Sequence, residues 1–266
     1  MIGLTTFDVR AAAAVLVKAG VPSSRHDAER LAEFATNETQ YAEYVARRAA
    51  REPLQHITGV AYFRYLELAV GPGVFIPRPE TELVAQAAID ASKALSDAVV
   101  VDLCAGSGAI AISVASEVPT STVYAVEIDQ GALPWLERNA KGTNVRVRHG
   151  DAATALPELD GTVDVVVSNP PYVPLGMGIE MQTEVRDYDP AASLWGGQDG
   201  LDVIKQVIDR AAQLLKPGGV LVVEHDDTHG ESVPALLRAP GLWQGITDHD
   251  DLTGRARFAT ATRSTA

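Results

Sequence analysis

The chain has 266 residues, of which 46% are hydrophobic and 21% charged, a composition typical of a soluble globular protein with one substantial core and a small extra domain. It contains no apolar run long enough to span a membrane, and its N-terminus lacks the basic and apolar regions of a signal peptide. A single cysteine, Cys104, excludes a disulfide framework and a zinc site built on cysteines. We therefore expect a cytoplasmic protein.

Charge is unevenly distributed along the chain. Residues 1–70 carry eight basic and eight acidic side chains, so the remaining residues account for the whole net charge of −13. An acidic C-terminal part is poorly suited to a phosphate backbone, which proteins bind through Lys and Arg, and this disfavours free DNA or RNA as a partner. The arginines at 47, 48 and 51 could dock an acidic protein partner, although a solvated helix face is the favoured interpretation.

The N-terminal part of the chain predicts a small helical domain followed by a strand pair. Thr5 or Thr6 can cap the first helix, which ends at Gly20, and Pro53 ends the last helix. The predicted helices cover about residues 11–18, 24–36 and 38–52. The predicted strands cover about residues 60–63 and 65–70, before a Gly-Pro-Gly break at residues 71–73.

From residue 75 onward, predicted strands and helices alternate. The strands lie near residues 98–103, 122–127, 144–148, 163–168 and 219–225. The helices lie near residues 80–95, 107–117, 130–140 and 200–215. Residues 241–243 and 256–262 are predicted to add a closing strand pair. We predict an α/β fold with a Rossmann-like, doubly wound, mostly parallel seven-stranded sheet and a small N-terminal helical domain.

A strand, a glycine-containing turn and a helix near residues 99–117 are typical of a nucleotide-type cofactor site, because they bring backbone N–H groups close to a ligand. The predicted turn consists of Cys104, Ala105, Gly106, Ser107 and Gly108. The next strand ends in Glu127, whose carboxylate can accept hydrogen bonds from both ribose hydroxyls. Asp151 and Ala152 follow a third strand, where an adenine ring could lie, although Asp151 could also cap a helix. The complete Gly-x-Gly-x-x-Gly fingerprint is missing, so an S-adenosyl cofactor, which has no phosphate, fits better than NAD.

The most informative feature of the chain is the tetrapeptide Asn169-Pro170-Pro171-Tyr172, which follows the apolar run of residues 163–168. A buried strand that ends at two prolines places these residues beyond its carboxyl end, where open α/β sheets bind ligands. Because neither proline has a backbone N–H, the turn has a surplus of acceptors and suits a substrate with N–H donors, such as a planar amide or an exocyclic amine. An ordinary strand-terminating turn is the alternative.

With these motifs the chain resembles the class I S-adenosylmethionine-dependent methyltransferases, and specifically the peptide chain release factor N5-glutamine methyltransferases. The resemblance extends over nearly the whole chain. It is carried by residues 51–59 (REPLQHITG), 75–82 (FIPRPETE), 102–108 (DLCAGSG), 168–172 (SNPPY) and 185–190 with 196–201. NPPY also occurs in adenine amino-methyltransferases, whereas Phe-x-Pro-Arg-Pro-x-Thr-Glu is much more specific. The chain departs from the family at Cys104, where the cofactor turn usually begins with glycine, and in a shorter N-terminal helical region.

The resemblance implies methyl transfer from S-adenosylmethionine, leaving S-adenosylhomocysteine, to the side-chain amide of the glutamine in the Gly-Gly-Gln motif of a release factor. Asn169 and Pro170 would accept the two amide hydrogens, and Tyr172 would pack on the amide plane. Together with Pro171 they would bind the substrate. The implied cofactor-binding residues are Phe75, Pro77, the turn from Cys104 to Gly108, Glu127, Asp151, Ala152 and Asn169.

The resemblance also implies a division of the chain into three parts. Residues 1–54 would form a helical substrate-docking domain, residues 55–74 a β-hairpin linker and residues 75–266 the methyltransferase domain. We expect a monomer whose partner is the release factor, without a metal, a membrane or direct contact with nucleic acid.

Three functions other than release factor methylation are compatible with part of this sequence pattern. Glutamine methylation of a ribosomal protein shares the catalytic motif and differs in the docking domain. Adenine amino-methylation of nucleic acid uses the same motif on a flipped base, but the acidic balance of the chain disfavours it. A non-catalytic cofactor-binding scaffold would have a damaged motif, whereas Asn169 and Glu127 are intact.

We predict structural roles for other conspicuous segments of the chain. Residues 224–227 (EHDD) look like a metal cluster, but consecutive strand residues point to opposite faces, so we predict a strand end near the cofactor crevice and no metal. Residues 196–198 (GGQ) are predicted to form a turn before a helix. We expect His56 to pack or cap within the linker, and residues 78–82 to cap the helix that follows.

Overall fold

The computed structural model describes residues 7–177 and 181–265. Its N-terminal helices are α1 (Val9–Lys18), α2 (Ser24–Phe34), α3 (Glu38–Ala49) and α4 (Leu54–Thr58). Apolar residues recur on one side of each, and Leu16, Leu31 and Val45 are buried together where α1, α2 and α3 meet. The helical region therefore has a small core of its own.

The first helix begins at Val9, and its capping residue differs from the prediction. Asp8 is its N-cap, because the Asp8 side chain accepts a hydrogen bond from the Ala11 N–H at 2.9 Å. Thr5 and Thr6, the predicted caps, lie outside the described residues.

Two differences from the predicted elements follow α3. This helix ends at Ala49, earlier than predicted, and Arg51 adopts a left-handed φ of 68° that is incompatible with a right-handed helix. Helix α4 then occupies the start of the region predicted as a β-hairpin linker and ends at Gly59, whose φ is 76°. The predicted hairpin itself is present as antiparallel strands β1 (Val60–Phe63) and β2 (Leu66–Ala69).

The predicted seven-stranded, mostly parallel sheet is confirmed. Its strands are β3 (Val99–Leu103), β4 (Thr122–Glu127), β5 (Val145–His149), β6 (Val163–Ser168), β7 (Leu215–Glu224), β8 (Trp243–Asp250) and β9 (Ala256–Arg263). They are ordered β5-β4-β3-β6-β7-β9-β8, with β9 antiparallel to both of its neighbours. Strand order changes direction at β3 and β6, because the chain continues outward to β4 on one side and to β7 on the other. Such a switch point leaves a crevice for a ligand.

Helices cover both faces of the sheet. They are α5 (Thr81–Lys93), α6 (Ala109–Glu117), α7 (Leu133–Ala140), α10 (Asp202–Leu214) and α11 (Ser232–Arg238), whereas the short helices α8 (Thr183–Tyr188) and α9 (Ala191–Leu194) lie between β6 and α10 in the chain. Val100 and Val165 face the apolar layer of α5 and α6, whereas Val101 and Val166 face that of α10 and α11. The central strands are buried on both faces, which explains their continuous runs of valine. No helix in the described ranges is both long and apolar enough to cross a membrane.

Candidate active site

A cavity of about 340 Å³ lies at the carboxyl ends of β3, β4, β5 and β6, at the switch point of the sheet. Its volume is within the range of small-molecule sites in proteins, roughly 300–1,000 Å³. The predicted site residues that line it are Phe75, Pro77, Cys104, Ala105, Gly106, Ser107, Glu127, Asp151, Ala152, Asn169, Pro170, Pro171 and Tyr172. Residues far apart in sequence thus meet in one crevice.

Gly108, the remaining predicted site residue, is outside the lining of this cavity. It precedes α6 with a φ of +87°, and a Cβ there would lie 2.7 Å from Leu136 Cδ1 and 2.9 Å from Ile112 Cδ1. Glycine at this position therefore permits a left-handed turn and the close approach of Leu136 to the start of α6.

Glu127 is a buried carboxylate at the end of β4. Its Oε2 accepts a hydrogen bond from the Gly106 N–H at 2.7 Å, and its Oε1 accepts one from the Asp129 N–H at 2.8 Å. Burial raises the pKa of Glu127, and these backbone hydrogen bonds oppose the rise. A carboxylate can accept about four hydrogen bonds, so Glu127 keeps acceptor capacity for ligand hydroxyls.

Cys104 occupies the first position of the turn with a φ of 63°. This left-handed conformation favours glycine and costs other residues about 1–2 kcal/mol, which gives a physical reason for the glycine usual in the family that the chain resembles. Burial raises the pKa of the Cys104 thiol, which therefore stays protonated near neutral pH.

Asp151 also lines the cavity and follows β5 in the chain. Its Oδ1 accepts a hydrogen bond from the Ala153 N–H at 2.9 Å, within a turn and not at the start of a helix. The alternative role of Asp151 as a helix cap is therefore wrong, although the side chain does cap a turn. The exposed carboxylate remains accessible to a ligand.

The tetrapeptide after β6 forms the opposite side of the cavity. Asn169 Nδ2 donates a hydrogen bond to Thr81 Oγ1 at 3.2 Å, which directs one end of the amide toward α5, and among the described residues Oδ1 has no hydrogen-bond donor. Tyr172 Oη donates to Glu224 Oε1 at 3.2 Å. Pro170 is buried and has no N–H, so its carbonyl can only accept a hydrogen bond.

Glu224 is fully buried at the end of β7, behind Tyr172. Burial raises the pKa of Glu224 to about 7, whereas hydrogen bonding by the Thr81 and Tyr172 hydroxyls opposes the rise. The next residue, His225, points to the opposite face, where its Nε2 lies 2.8 Å from Asp248 Oδ1. Among the described residues, no group of three or more His, Cys, Asp or Glu side chains is arranged to hold a metal ion.

A short helical segment covers the tetrapeptide. Met181, Val185 and Leu194, from the region of α8 and α9, line the same cavity. Gly196 packs beneath the tetrapeptide, since a Cβ on it would lie 2.7 Å from the Pro171 carbonyl oxygen. The GGQ turn of residues 196–198 therefore has the structural role that was predicted for it.

Neither interpretation of the arginines in α3 and the loop after it is correct. Arg48 is buried and pairs with Asp27 at 2.7 Å and with Glu184 at 2.8 Å. Arg51 pairs with Glu184 at 2.6 Å, while the remaining arginine, at position 47, pairs with Glu52. Arg48 and Arg51 join the N-terminal helical region to α8 and Arg47 pairs within its own segment, so the three form neither a free docking patch nor a solvated helix face.

Comparison with known proteins identifies the family. The methyltransferase small domain matches residues 71–184, and the PrmC N-terminal domain matches residues 35–59. The release factor glutamine methyltransferase of Streptomyces coelicolor is 53% identical over 94% of this chain and 94% of its own. The chain belongs to the release factor glutamine methyltransferase family.

One further relative and one solved structure complete the comparison. A 4-amino-L-phenylalanine/4-methylamino-L-phenylalanine methyltransferase of Streptomyces pristinaespiralis is 47% identical over 75% of this chain and 70% of its own. A ribosomal protein L11 methylase from Lactobacillus delbrueckii is 17% identical, with a TM-score of 0.52 over 76% of this chain and 90% of that chain, and this similarity shows only a shared fold. Membership in the release factor glutamine methyltransferase family makes the chain a protein-glutamine N-methyltransferase.

Sequence reasoning missed two residues near this methyltransferase site. Thr81 was interpreted as part of a helix start, and it does begin α5, but its hydroxyl also meets Asn169. Glu224 was interpreted only as a strand end. The expected position of His56 is correct in that it is buried, with no hydrogen-bond partner for either ring nitrogen within the described chain. The motif FIPRPETE (residues 75–82) contains Thr81 and could have indicated a role in the site, because the start of a helix alone does not require that specific sequence.

Proposed function

We propose that this enzyme transfers a methyl group from S-adenosylmethionine to the side-chain amide nitrogen of the glutamine in the Gly-Gly-Gln motif of a peptide chain release factor. The observation that carries the proposal is the amide of Asn169, whose Nδ2 donates to Thr81 and which lines the cavity together with Pro170. Asn169 Oδ1 and the Pro170 carbonyl oxygen would provide two acceptors, as many as the N–H groups of a primary amide.

The opposite side of the cavity suits the cofactor. We call residues 104–107, 127, 151 and 152 the cofactor half of the cavity, and residues 169–172 the substrate half. A buried carboxylate at a strand end, Glu127, can accept hydrogen bonds from ribose hydroxyls, and the exposed Asp151 can accept one from an adenine amine. Phe75 and Pro77 would line the part of the cavity nearest the methyl donor. When bound, S-adenosylmethionine supplies an electrophilic methyl group on a sulfonium; no step requires a metal.

The substrate half addresses the main chemical difficulty. An amide nitrogen is a poor nucleophile, because its lone pair is delocalised into the carbonyl. By accepting the two amide hydrogens, Asn169 Oδ1 and the Pro170 carbonyl would aim the nitrogen at the methyl group, while the Tyr172 ring packs on the amide plane. Orientation of this kind contributes roughly 7–11 kcal/mol in favourable cases. The surplus N–H proton is lost to water after transfer, so no strong base is needed beforehand.

Release factor recognition is assigned to the N-terminal helical region. Residues 1–54 would form the docking domain, with residues 55–74 as the linker to the methyltransferase domain of residues 75–266. The pairs of Arg48 and Arg51 with Glu184 support this division of labour, because they tie the docking helices to α8, which covers the substrate half. We propose a monomeric, cytoplasmic enzyme that binds the release factor and does not contact nucleic acid or a membrane.

A specific observation supports one alternative acceptor, an aromatic amine. The Streptomyces pristinaespiralis relative is named for methylation of an aromatic amine, and an exocyclic amine also presents N–H groups to paired acceptors. Glutamine of a ribosomal protein and adenine of nucleic acid are the other acceptors with this chemistry.

The test is a competition between acceptors. Purified enzyme and S-adenosylmethionine are incubated with a release factor or with 4-amino-L-phenylalanine, and kcat/KM is measured for each by product mass. We expect the release factor to be preferred by at least about 10³-fold, roughly 4 kcal/mol in transition-state binding. Preference for the free amino acid would overturn the proposed acceptor and leave the cofactor assignment intact.

A further inference from the structure

One carboxylate, Glu184, joins helix α8 to the N-terminal helical region through two arginines. Arg51 donates to it with both ends of its guanidinium, from Nε to Oε1 at 2.8 Å and from Nη2 to Oε2 at 2.6 Å. The buried Arg48 places its Nη2 2.8 Å from Oε1 of the same carboxylate and also pairs with Asp27 of α2 at 2.7 Å. Two-ended pairs between arginine and carboxylate fix geometry as well as contributing energy, so α8 has a defined attachment to this region.

The two sides of α8 have different neighbours. Val185 lines the active-site cavity, together with Met181 just before the helix. Glu184 and Tyr188 are four residues apart, which places them on one side of a helix, and both contact the N-terminal helical region. Tyr188 Oη donates to the Ala50 carbonyl oxygen at 3.4 Å. Helix α8 therefore lies between the N-terminal helical region and the substrate half of the cavity.

A second cavity, of about 360 Å³, lies where α8 meets the N-terminal helical region. Its lining includes Arg48 and Glu184 as well as the polar residues Ser23, Gln55 and Gln182. Because space remains there, side chains do not interlock across this junction as they do in a close-packed core. The ion pairs of Glu184 provide fixed contacts across it.

Glu184 remains ionised at neutral pH. Burial alone would raise the pKa of Glu184, but hydrogen bonds from Arg51 and Arg48 lower it to about 2. Replacement by glutamine would therefore remove a negative charge that faces two arginines. The resulting amide has only one acceptor oxygen, so it could not pair with both ends of the Arg51 guanidinium.

We propose that Glu184 is a positioning residue, through which the N-terminal helical region holds α8, and with it the cavity wall of Met181 and Val185, in place for the acceptor amide. This inference rests on the proposed function, because the acceptor is the glutamine of a release factor. It extends that function by linking the region that would dock the release factor to a wall of the site where the methyl group is transferred. Glu184 itself is outside the lining of that site.

A displaced cavity wall should slow methyl transfer more than it weakens binding. Transfer requires the acceptor nitrogen in line with the methyl group, and a misplacement of about 1 Å can lower the rate about 10²-fold. The cofactor half of the cavity consists of residues 104–107, 127, 151 and 152, which belong to other segments of the chain. Cofactor affinity should therefore not depend on Glu184.

The first experiment compares Glu184→Gln with Asp187→Asn, the same acid-to-amide change on the same helix. Asp187 is exposed and pairs with its neighbour Arg186. For Glu184→Gln we expect kcat with a release factor to fall at least about tenfold, while KM for the release factor stays within about threefold and the Kd for S-adenosylmethionine within about twofold. Asp187→Asn should keep the wild-type kcat. All rates are measured below the unfolding temperature of each variant, so that loss of folded enzyme does not contribute.

A second experiment does not require turnover. Arg51→Gln removes a partner of Glu184 from the side of the N-terminal helical region, far from Met181 in sequence. Arg47→Gln is the matched control, because Arg47 also donates with Nε and Nη2 to one carboxylate, that of Glu52, but this pair stays within the N-terminal helical region. The methyl resonance of Met181 is followed by NMR without added acceptor. It should shift or broaden in Arg51→Gln and keep its wild-type position in Arg47→Gln.

The outcomes separate this inference from the proposed function. A lower unfolding temperature of Glu184→Gln with a wild-type kcat would show that Glu184 only stabilises the fold, and would overturn the inference while leaving methyl transfer intact. The same Met181 resonance in Arg51→Gln and Arg47→Gln would also overturn it. If the wild type transfers no methyl group to a release factor, the proposed function fails, and the Met181 resonance alone then supports or overturns the link through Glu184.

Discussion

Glu127 and Glu224 are both buried carboxylates at the carboxyl ends of strands in the parallel part of the sheet, but their surroundings differ. Glu127 lines the cavity and accepts hydrogen bonds from the backbone N–H groups of Gly106 and Asp129. Glu224 lies behind the cavity and meets the side-chain hydroxyl of Tyr172. The cofactor half is thus built largely from backbone at strand ends, whereas the substrate half depends on side chains that are far apart in sequence.

This difference has functional consequences. Backbone groups stay in place when a neighbouring side chain changes, which explains how the cofactor half accommodates Cys104 at a left-handed position. A network of side-chain hydrogen bonds is disrupted when any one of its side chains is replaced. Substitutions in the cofactor half should therefore weaken cofactor binding, and substitutions in the substrate half should slow the chemical step.

The largest effect is expected from Asn169→Ala. Loss of the acceptor that orients the substrate nitrogen should lower kcat by about 10²–10³-fold, as when a single group that stabilises a transition state is removed. The Kd for S-adenosylmethionine, measured by calorimetry, should stay within about threefold of the wild type. If kcat survives within about tenfold, the orienting role of Asn169 is wrong.

The complementary change in the cofactor half is Glu127→Gln. The amide replaces one acceptor oxygen by a donor, both toward the ribose and toward the backbone N–H groups that Glu127 meets. Hydrogen bonds to a charged group contribute about 1.5–3 kcal/mol, so the Kd for the cofactor should rise about ten- to hundredfold. With saturating cofactor, kcat should change far less than in Asn169→Ala; an equal loss would show that the two halves are not separable.

Gly108→Ala tests the turn that carries the cofactor half. A methyl group would overlap Leu136 and Ile112, and the φ of +87° disfavours any side chain. We expect the free energy of unfolding to fall by about 1–3 kcal/mol in denaturant titration. Gly142→Ala is the control: it also has a positive φ, but there is open space around its Cβ position, so it reports the conformational cost alone. Equal losses at both positions would rule out the packing argument.

The smallest effect is expected from Cys104→Gly. Glycine relieves the left-handed conformation but is more flexible in the unfolded chain, and these terms of about 1 kcal/mol nearly cancel. The unfolding free energy and the cofactor Kd should both change little. A marked loss of cofactor affinity would mean that the cysteine side chain itself contributes to the cofactor half.

Much of the fold could be predicted from sequence, because its signals are local. The run Val163–Ser168 is a fully buried strand and Val99–Leu103 is buried except at Val99, and the residue that ends each strand lies at the same edge of the sheet. The positions of Glu127 and Asn169 in one crevice follow from this geometry. The ends of α3 and the presence of α4 did not follow, because short helices and single left-handed residues depend on packing.

The contacts within the substrate half could not be predicted in the same way. The hydrogen bond between Asn169 and Thr81 joins residues 88 positions apart, and that between Tyr172 and Glu224 spans 52 positions. No periodicity encodes such pairs. The pairing of Arg48 and Arg51 with Glu184 could not be predicted for the same reason. The charge pattern of a sequence does not show whether the partner of an arginine lies in another molecule or in a distant helix of the same chain.

The most direct test of the account is to locate the transferred methyl group. Release factor treated with the enzyme and S-adenosylmethionine is digested and sequenced by tandem mass spectrometry, beside a release factor in which the glutamine of the Gly-Gly-Gln motif is replaced by alanine. The account predicts one methyl group on that glutamine side chain and none on the altered protein. A methyl group on another residue, or equal labelling of both proteins, would contradict it.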